Sequence, residues 1–440
     1  MIPTNWLQHR AGSRPEVIAI RDERGLELSY AELYQRASAV AELLPADGGC
    51  CVLELDPGLE HAVAIHAAVL AGIPFLTMRS GLPEAERVAA LRSLPNPVLP
   101  DPELLTVAGR TGSRSGARQA REREGGELIA YVLTSGSSGA PRAVGLSFEN
   151  FYASAAGSAF NLGVDPQDRW LCCLPVDHIA GLSVLIRSLI YGTGVVVHPG
   201  FDLAWVSAEI ENGASLISLV PTQLERLRAV LVGGGPLARP ALDRALEQGV
   251  NVVHTYGLTE ACSQVCTLTA ADAAQKRGAA GRPLLGTEVA IDRKGDQEIL
   301  VRGPTVAAGA AAGDGWLRTG DRGRLDRSGF LWVDGRIDDL IVSGGENVVP
   351  EEVERVLESH PAVAEAAVVG RKDTEWGAAV TGVVVPVAGE EIVEAALIEH
   401  CRSSLAPYKL PKRIEVSAAL PRTDNGKLQR RRLQVSGEDL

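Results

Sequence analysis

The 440-residue sequence lacks the features of a membrane-spanning or disulfide-bonded protein. No apolar run reaches the roughly 18 residues that a membrane span requires. The opening residues, MIPTNWLQHR, contain no basic stretch followed by an apolar core, so no secretory signal is predicted. Seven cysteines occur without any C-x-x-C pair, which argues against a disulfide framework and a cysteine metal site. We therefore expect buried, reduced thiols and a cytoplasmic location.

Positive charge is also scarce. The chain has 43 lysines and arginines against 55 aspartates and glutamates, a net charge of −12. This balance argues against nucleic acid as the main partner. The hydrophobic fraction of 45% and the charged fraction of 22% are typical of a globular protein, and the length predicts two or three domains. The sequence does not determine the quaternary state and leaves a homo-oligomer open.

Short apolar runs alternate with helical patterns through most of the chain. The runs are CCVLELD, PFLTM, LIAYVLTSG, RWLCCLP, GVVVHP, SLISLVP, AVLVGGG and NVVHTYG. Segments such as YAELYQRASAVAELL and LEHAVAIHAAVLAG lie between them and have helical periodicity. This alternation predicts an α/β fold with layered, mostly parallel sheets. Residues 109–126 are charged and rich in glycine, and we expect an exposed, mobile loop there.

The pattern changes near residue 280. EVAIDRKGDQEILVRGP and GFLWVDGRIDD alternate apolar and polar residues around Gly/Asp turns, which predicts antiparallel hairpins. After Asp338, the helical pattern PEEVERVLESH, two apolar strand patterns and a second helical segment predict a small α+β unit. We therefore divide the chain into domains at residues 1–337 and 338–440.

The stretch LTSGSSGAPRAV, Leu133 to Val144, has the composition of an anion-binding loop but contains no lysine. Glycines let backbone amides approach phosphate oxygens, and hydroxyl side chains add donors. The pattern G-x-x-x-x-G-K-[ST] is absent, which argues against a P-loop NTPase. Taken alone, the stretch is equally compatible with a plain Ser/Gly turn.

Two further motifs follow apolar strand patterns. His178 in LPVDHIAGL comes at a strand end, where ligands of α/β proteins bind, although a packed core histidine is the commoner case. Arg187 lies in an otherwise apolar helical segment, where it binds either an acidic side chain or a substrate carboxylate. Gly234 and Gly235 in VLVGGGPL permit a flat ring or a phosphate to approach the backbone, or form a tight turn.

The segment HTYGLTEACS combines an aromatic face at Tyr256, a glycine at Gly257, a hydroxyl at Thr259 and a carboxylate at Glu260. A carboxylate is a hard oxygen ligand suited to Mg²⁺ on phosphates. The alternative is a helix start with Thr259 as its cap.

Three segments in the last third of the chain add candidate residues. Asp321 in WLRTGDRGRLD follows a glycine and could bind a ribose diol, although a hairpin turn has the same pattern. GRIDDLIVSGGENVVPEEVE ends in a helix start with proline and acidic residues. Lys427 in LPRTDNGKLQR follows a glycine turn, where an exposed lysine is ordinary.

These motifs, in this order from Leu133 to Arg430, resemble the adenylate-forming acyl-CoA synthetase superfamily. The resemblance implies a large N-terminal domain that includes a small β-barrel-like part, and a hinge to a small, mobile α+β C-terminal domain with the catalytic lysine. It also implies a reaction in two steps. A carboxylate attacks the α-phosphorus of MgATP and gives acyl-AMP and pyrophosphate. The thiol of coenzyme A then attacks the acyl carbon and releases AMP.

The resemblance also implies roles for individual residues. Lys427 would neutralise the α-phosphate and carboxylate oxygens, Glu260 would bind Mg²⁺, and Thr259 would hydrogen-bond phosphate, with His178 also in the catalytic set. The phosphate loop would comprise Thr134, Ser135, Gly136, Ser137, Ser138, Gly139 and Arg142. Adenosine would contact Gly234, Gly235, Tyr256, Gly257, Asp321 and Arg336. The hinge would be Asp338, and the coenzyme A tunnel would be approached by Ser343, Gly344 and Gly345.

Within the superfamily, LPVDHIAGLSVLIRSLIYG, SLVPTQLERL and SGGENVVPEEVERVLESHPAV resemble the o-succinylbenzoate–CoA ligases of menaquinone and phylloquinone biosynthesis. The acyl site would then comprise His178, Arg187 and Ser218, with Arg187 as the cation for the carboxylate that is not activated. Another aryl- or acyl-CoA ligase, an adenylation enzyme that loads a carrier protein, and an inactive nucleotide-binding relative remain alternatives. Family loops commonly read TGKPK, whereas this chain has Ala140 and Arg142, and Arg142 can bind phosphate oxygens in a bidentate manner.

Overall fold

The computed structural model describes residues 3–45, 49–111, 123–135, 141–219, 229–234, 252–273, 275–422 and 428–435. In chain order, the strands are β1 (Ile18–Asp22), β2 (Glu27–Ser29), β3 (Cys50–Glu54), β4 (Phe75–Met78), β5 (Pro97–Val98), β6 (Leu128–Ser135), β7 (Pro141–Ser147), β8 (Arg169–Cys172), β9 (Gly194–Val197), β10 (Leu216–Leu219), β11 (Ala229–Val232), β12 (Val252–Tyr256), β13 (Cys266–Leu268), β14 (Arg282–Pro283), β15 (Glu288–Ile291), β16 (Glu298–Arg302), β17 (Leu317–Leu325), β18 (Leu331–Arg336), β19 (Ile341–Ser343), β20 (Glu346–Val348), β21 (Val363–Asp373), β22 (Gly377–Pro386) and β23 (Arg413–Val416).

The helices are α1 (Trp6–Ser13), α2 (Tyr30–Ala41), α3 (Leu59–Ala71), α4 (Glu84–Arg92), α5 (Pro102–Thr111), α6 (Phe148–Leu162), α7 (Ile179–Tyr191), α8 (Leu203–Glu211), α9 (Ala270–Ala273), α10 (Pro350–Glu358), α11 (Glu394–Arg402) and α12 (Arg430–Val435), with 3₁₀ turns at Thr259–Ala261 and Pro407–Lys409. No helix among the described residues is both long and apolar enough to cross a membrane. The region 109–126 was predicted to be a loop, but its first three residues continue α5, and residues 112–122 lie outside the described part.

Two large sheets form the N-terminal part, as predicted. The nine-stranded sheet has the order β14–β13–β12–β11–β10–β8–β9–β1–β2, and its six central strands from β12 to β1 are parallel. The five-stranded sheet has the order β5–β3–β4–β6–β7, with only β6 and β7 antiparallel. Helices α2, α3 and α7 contribute to one core that joins these sheets, around Leu33, Ile65, Phe75, Trp170 and Leu185. The prediction of layered, mostly parallel sheets is confirmed.

All seven cysteines are buried and free, as the sequence predicted. Cys50 and Cys51 belong to different core clusters, and so do Cys172 and Cys173. Neighbours on a strand point to opposite faces, so each pair contributes one thiol to each face of its sheet. Burial raises the pKa of the Cys50 and Cys51 thiols to about 12.

The antiparallel part predicted after residue 280 is a four-stranded sheet, β15–β16–β17–β18. The first hairpin pairs Val289 with Val301, and the second pairs Asp321 with Arg336. A single antiparallel bridge between Gly281 and Leu331 connects this sheet to the edge of the nine-stranded sheet. Asp321 and Arg336 are therefore held next to the end of β12.

The last hundred residues form a three-stranded sheet, β21–β22–β23, with α10 and α11 packed in its core, and a hairpin of β19 and β20. Helix α10 begins with Pro350 at its first position, and the acidic Glu351 and Glu352 lie in its first turn, where they favour a helix N-terminus. This region corresponds to the predicted α+β domain. The boundary between residues 337 and 338 stays a prediction.

Candidate active site

The candidate site lies at the carboxyl ends of the parallel strands of the nine-stranded sheet. Strand β8 ends just before the segment that leads to His178, Ser218 is near the end of β10, Gly234 follows β11, and Tyr256 ends β12. Because neighbouring parallel strands end at one edge of a sheet, these predicted residues share that edge. Ligands of open α/β sheets bind at such an edge.

The phosphate-loop residues that the structure describes belong to a hairpin. Thr134 on β6 pairs with Arg142 on β7, and the Thr134 hydroxyl donates to the Arg142 carbonyl at 3.4 Å. The Arg142 side chain is exposed. Both strands thus extend into the motif that the sequence indicated as a loop. Gly136, Ser137, Ser138 and Gly139 lie outside the described residues, as does the side chain of Ser135.

Three side chains meet between β12, β17 and β18. The Tyr256 hydroxyl donates a 2.6 Å hydrogen bond to Oδ2 of Asp321, and Nη1 of Arg336 contacts Oδ1 of the same carboxylate at 3.0 Å. Burial, followed by the Asp321 charge, raises the pKa of the Tyr256 phenol well above its ordinary value, so the hydroxyl keeps its proton. Tyr256 and Arg336 thereby orient Asp321, and its contact with ribose stays a prediction.

Glycines let the backbone approach closely on both sides of Tyr256. A Cβ on Gly257 would overlap the Ser263 carbonyl and lie 2.9 Å from the Cα of Gln264. Gly234 has a φ of +83°, and a Cβ on the preceding Gly233 would lie 2.8 Å from a methyl of Thr255. Gly235 lies outside the described residues.

Thr259 and Glu260 belong to the 3₁₀ turn that follows Leu258. The alternative of a helix start with Thr259 as its cap is wrong, because Leu258 holds the cap position and no side chain caps the turn. The Glu260 carbonyl accepts a hydrogen bond from the Ala307 amide at 2.8 Å, which fixes the turn. The half-buried Glu260 carboxylate forms no ion pair with any described lysine or arginine. A hydroxyl and an uncompensated carboxylate are hard oxygen donors, and they fit Mg²⁺ that is otherwise held by phosphates and water.

His178 is the residue that precedes α7, and its ring is about one-third exposed. The segment before it is tied to the other sheet, because the Thr77 hydroxyl of β4 donates to the Val176 carbonyl at 2.8 Å. A Cβ on Gly181 would lie 2.6 Å from the Leu174 carbonyl, so glycine allows the first turn of α7 to pack on this segment. The segment that carries His178 is therefore held between β4 and the first turn of α7.

Arg187 is not at the strand ends with His178. It lies nine positions after His178, roughly 13 Å along the helix. Its guanidinium is fully buried and lies 4.8 Å from the centroid of the Trp170 ring. Burial lowers the pKa of Arg187, and Tyr191 and Cys262 partly oppose this shift. Neither terminal nitrogen has a hydrogen-bond partner, and no described carboxylate pairs with it.

The sequence left open whether Arg187 binds an acidic side chain or a substrate carboxylate. The described part of the chain contains no acidic side chain that pairs with it. An unpaired buried cation is costly, and a bound anion would offset that cost. Cys262, two residues after Glu260, is one of the groups near the guanidinium. Ser218 is buried on β10, one of the strands beside β8. Trp170 is a contact that the sequence did not single out, because the pairing of β8 with α7 exists only in the folded chain.

The predicted hinge and tunnel residues lie five to seven positions apart in the chain. Asp338 is exposed and follows Ile337, whose amide donates to the Gly320 carbonyl at 2.9 Å. Ser343 is buried at the end of β19, and its hydroxyl has no hydrogen-bond partner in the described part of the chain. Gly344 and Gly345 have φ values of +59° and +85°, which gives the β19–β20 hairpin the two-residue turn that favours glycine. Lys427 lies outside the described residues.

Sequence and structure comparisons identify the same kind of protein. The profile of the AMP-binding enzyme family matches residues 7–310, and that of the AMP-binding enzyme C-terminal domain matches residues 352–427. The 2-succinylbenzoate–CoA ligase of Bacillus subtilis (strain 168) is 37% identical over 98% of this chain and 97% of its own length.

Solved structures of the o-succinylbenzoate coenzyme A synthetase from Bacillus subtilis agree with the whole chain. The complexes with the acyl-adenylate OSB-AMP and with ATP and magnesium ion each give a TM-score of 0.87 at 35% identity. Each alignment covers 98% of this chain. It covers 98% of the chain in the acyl-adenylate complex and 99% of the chain in the complex with ATP and magnesium ion. A double mutant bound with the product analogue OSB-NCoA gives a TM-score of 0.70, again at 35% identity and 98% coverage of both chains. The agreement in overall arrangement is thus better with the two nucleotide complexes.

Proposed function

This chain belongs to the AMP-binding enzyme family, and we propose that it is an ATP-dependent acid–thiol ligase that converts o-succinylbenzoate and coenzyme A to o-succinylbenzoyl-CoA. The products of the nucleotide would be AMP and pyrophosphate, and an acyl-adenylate would be the intermediate. The proposed step belongs to menaquinone or phylloquinone biosynthesis. The seven unpaired thiols support a cytoplasmic location for it.

The observation that supports the diacid substrate is the unpaired guanidinium of Arg187. o-Succinylbenzoate has an aliphatic carboxylate that is activated and an aromatic carboxylate that must be bound elsewhere. Arg187 is buried without an anionic partner among the described residues, so its guanidinium can serve as the charged partner of that carboxylate. Because the guanidinium is already desolvated, a carboxylate that reaches it gains a strong charge-assisted hydrogen bond.

In the proposed adenylation step, Asp321 binds the ribose hydroxyls, and Tyr256 and Arg336 hold its carboxylate in orientation. Thr134, Arg142 and the loop between β6 and β7 bind the β- and γ-phosphates, and Thr259 donates to phosphate. Mg²⁺, when bound at Glu260, would neutralise phosphate charge. Lys427 then offsets the repulsion between the attacking carboxylate and the α-phosphate, since both are anions.

In the proposed thioester step, Asp338 is the hinge about which the C-terminal domain turns. A few residues suffice to absorb such a rotation. The turn would remove Lys427 from the reacting atoms and bring Ser343, Gly344 and Gly345 to the coenzyme A side.

The test is a pyrophosphate-release screen with MgATP over a small panel of acids, with and without coenzyme A. We expect release with o-succinylbenzoate and none with benzoate, and a thioester product only when coenzyme A is present. Release with monocarboxylic aryl or fatty acids would indicate another acyl-CoA ligase. A carrier protein as the only thiol acceptor would indicate an adenylation enzyme, and no release with any acid would indicate an inactive relative.

A further inference from the structure

A group of charged residues in the C-terminal region surrounds Arg430, the first residue of α12. Its terminal nitrogens contact Glu351 at 2.6 Å and Glu354 at 2.7 Å, and its Nε lies 3.4 Å from Asp339. The Arg430 side chain is only 11% exposed. The Arg430 side chain therefore connects the first two turns of α10 to Asp339. Asp339 directly follows Asp338, the proposed hinge.

Glu351 and Glu354 are buried, and a nearby cation offsets the cost of their negative charge. Desolvation raises the pKa of Glu351 and raises that of Glu354 to about 8, while Arg430 opposes both shifts. Glu354 also accepts a hydrogen bond from the Val368 amide at 2.6 Å, which fixes it inside the domain. Among the described side chains, Arg430 is the one that forms an ion pair with Glu351, and the Glu351 Oε2 is buried without a hydrogen bond to any of them. Arg430 therefore contributes to the orientation of the Glu351 carboxylate.

That carboxylate faces the other domain. An ideal Cβ on Gly335 of β18 would overlap Oε2 of Glu351 and lie 2.8 Å from its Cδ. Glycine at this position lets Glu351 and the adjacent Val349 pack directly on the β18 backbone. The next residue of β18 is Arg336, which contacts Asp321 at 3.0 Å. The Glu351 contact therefore reaches the strand of the proposed ribose site.

The chain on the N-terminal side of Arg430 is also tied to the domain. Leu428 forms an antiparallel bridge with Arg422, and the Gln429 amide donates to the Pro421 carbonyl at 2.8 Å. Lys427 lies outside the described residues, but in the sequence it directly precedes this paired segment. These two contacts hold Leu428 and Gln429, the residues just before Arg430, against the segment at Pro421 and Arg422.

We infer that Arg430 is a positioning residue for adenylation: it holds Glu351 against Gly335 and so fixes the C-terminal domain on the strand of the ribose site. This inference rests on the proposed two-step function. It concerns the arrangement present in this structure, which agrees better with the nucleotide complexes than with the product-analogue complex. The contact with Gly335 crosses the hinge and is lost when the domain turns, whereas the contact with Glu354 is internal to the domain.

The test is a double-mutant cycle with R430A and E351A in the full-length enzyme. Adenylation is measured by pyrophosphate release with o-succinylbenzoate, and the second step by thioester formation from supplied OSB-AMP and coenzyme A. We expect each single variant to lower the adenylation rate about 10- to 100-fold, because a displaced domain misaligns the reacting groups. The thioester step should change by no more than about twofold, since an interaction used in one step affects that step alone. The double variant should lose no more than the worse single variant, because both single variants remove the same contact between Arg430 and Glu351.

R432A is the matched control, an exposed arginine two residues further along the same helix, and it should leave both steps unchanged. Equal losses in both steps, or additive losses in the double variant, would overturn the inference and indicate a purely structural role. If R430A does not fold, the test rests on E351A alone. An adenylation rate of E351A equal to that of the wild type would then overturn the inference.

A second readout does not depend on activity. Amide hydrogen exchange in residues 331–341 should be faster in R430A and E351A than in wild type and R432A, and unchanged exchange would contradict the inference. Should the wild-type enzyme release no pyrophosphate with any acid, the proposed function fails, while the exchange measurement still tests the contact.

Discussion

The hydroxyl of Tyr256 donates a 2.6 Å hydrogen bond to the carboxylate of Asp321, a residue 65 positions later in the chain. This bond connects the nine-stranded sheet to the antiparallel sheet at the proposed ribose site. Arg336 contacts the other oxygen of the same carboxylate at 3.0 Å. The phenol therefore contributes to the orientation of the carboxylate.

Replacing Tyr256 by phenylalanine should raise the KM for ATP. A hydrogen bond to a charged group contributes about 1.5–3 kcal/mol, which corresponds to roughly a 10- to 100-fold change. We expect kcat to change less, because the phenol acts on binding. Steady-state kinetics with ATP as the varied substrate measure the effect, with Tyr408→Phe as a control in the C-terminal region. An unchanged KM would show that Arg336 alone orients Asp321.

Replacing Arg187 by methionine should separate stability from substrate binding. The unpaired buried guanidinium costs free energy, so an apolar side chain of similar length should leave stability equal or higher, by as much as about 4 kcal/mol. The KM for o-succinylbenzoate should rise by roughly 100-fold, as for loss of a buried charged pair, and the KM for ATP should stay unchanged. Urea unfolding and steady-state kinetics measure the two effects. Equal changes in both KM values would refute the assignment.

Glu260→Gln should weaken Mg²⁺ binding without disturbing the turn, because the backbone contact with Ala307 remains. Loss of one carboxylate ligand should increase the Mg²⁺ concentration needed for half-maximal adenylation by about tenfold or more. Chelation of Mg²⁺ should abolish pyrophosphate release in the wild type. A variant with an unaltered Mg²⁺ dependence would place the metal elsewhere.

Lys427→Ala tests the proposed division between the two steps. Removal of the cation should lower adenylation by about 100-fold or more, since it offsets charge that develops in the transition state. Thioester formation from supplied OSB-AMP should remain, because Lys427 has no role there. Lys294→Ala, in a hairpin turn on the other domain, is the control. If both steps fall equally, the two-conformation mechanism does not apply.

Acid should destabilise the protein through two histidines of α3. Burial lowers the pKa of His61 and His66 to about 4 from 6.5. The unfolded chain thus binds more protons than the folded chain between these values, and stability falls as the pH drops from 6.5 towards 4. Each histidine accounts for about 3 kcal/mol over this range.

His61→Leu tests this pH dependence. Neither ring nitrogen of His61 has a hydrogen-bond partner, so leucine removes the titration without breaking a bond. The free energy of unfolding, measured by urea at pH 7 and pH 5, should differ less in this variant than in the wild type. The exposed His9→Leu is the control and should retain the full difference.

The strands and the order of the motifs could be predicted from local sequence. Apolar runs such as CCVLELD and RWLCC form parallel strands because burial on both faces requires continuous apolar residues. Gly257 and the Gly344–Gly345 pair were identifiable because close backbone approach and positive φ favour glycine. The loop around Thr134 and Arg142 was only partly predicted, since Ser and Pro gave no sign that β6 and β7 extend into it.

Contacts between distant residues were not predictable from a single sequence. Nothing local connects Arg187 to Trp170, Glu351 to Gly335, or Arg430 to Asp339, because each pair belongs to elements that meet only after folding. The sequence left open whether Arg187 pairs with an acid, and only its surroundings in the described structure answer that.

The sequence by itself determined the family, the α/β class and the chemical types of the candidate residues, since these depend on composition, periodicity and motif order. The tertiary structure decided which of them meet. It brings Tyr256 and Arg336 to Asp321, buries the Arg187 guanidinium without an anionic partner among the described residues, and packs Glu351 on Gly335. The reason is physical: burial and the partners of a charge depend on packing between elements far apart in the chain, and packing sets the cost of that charge.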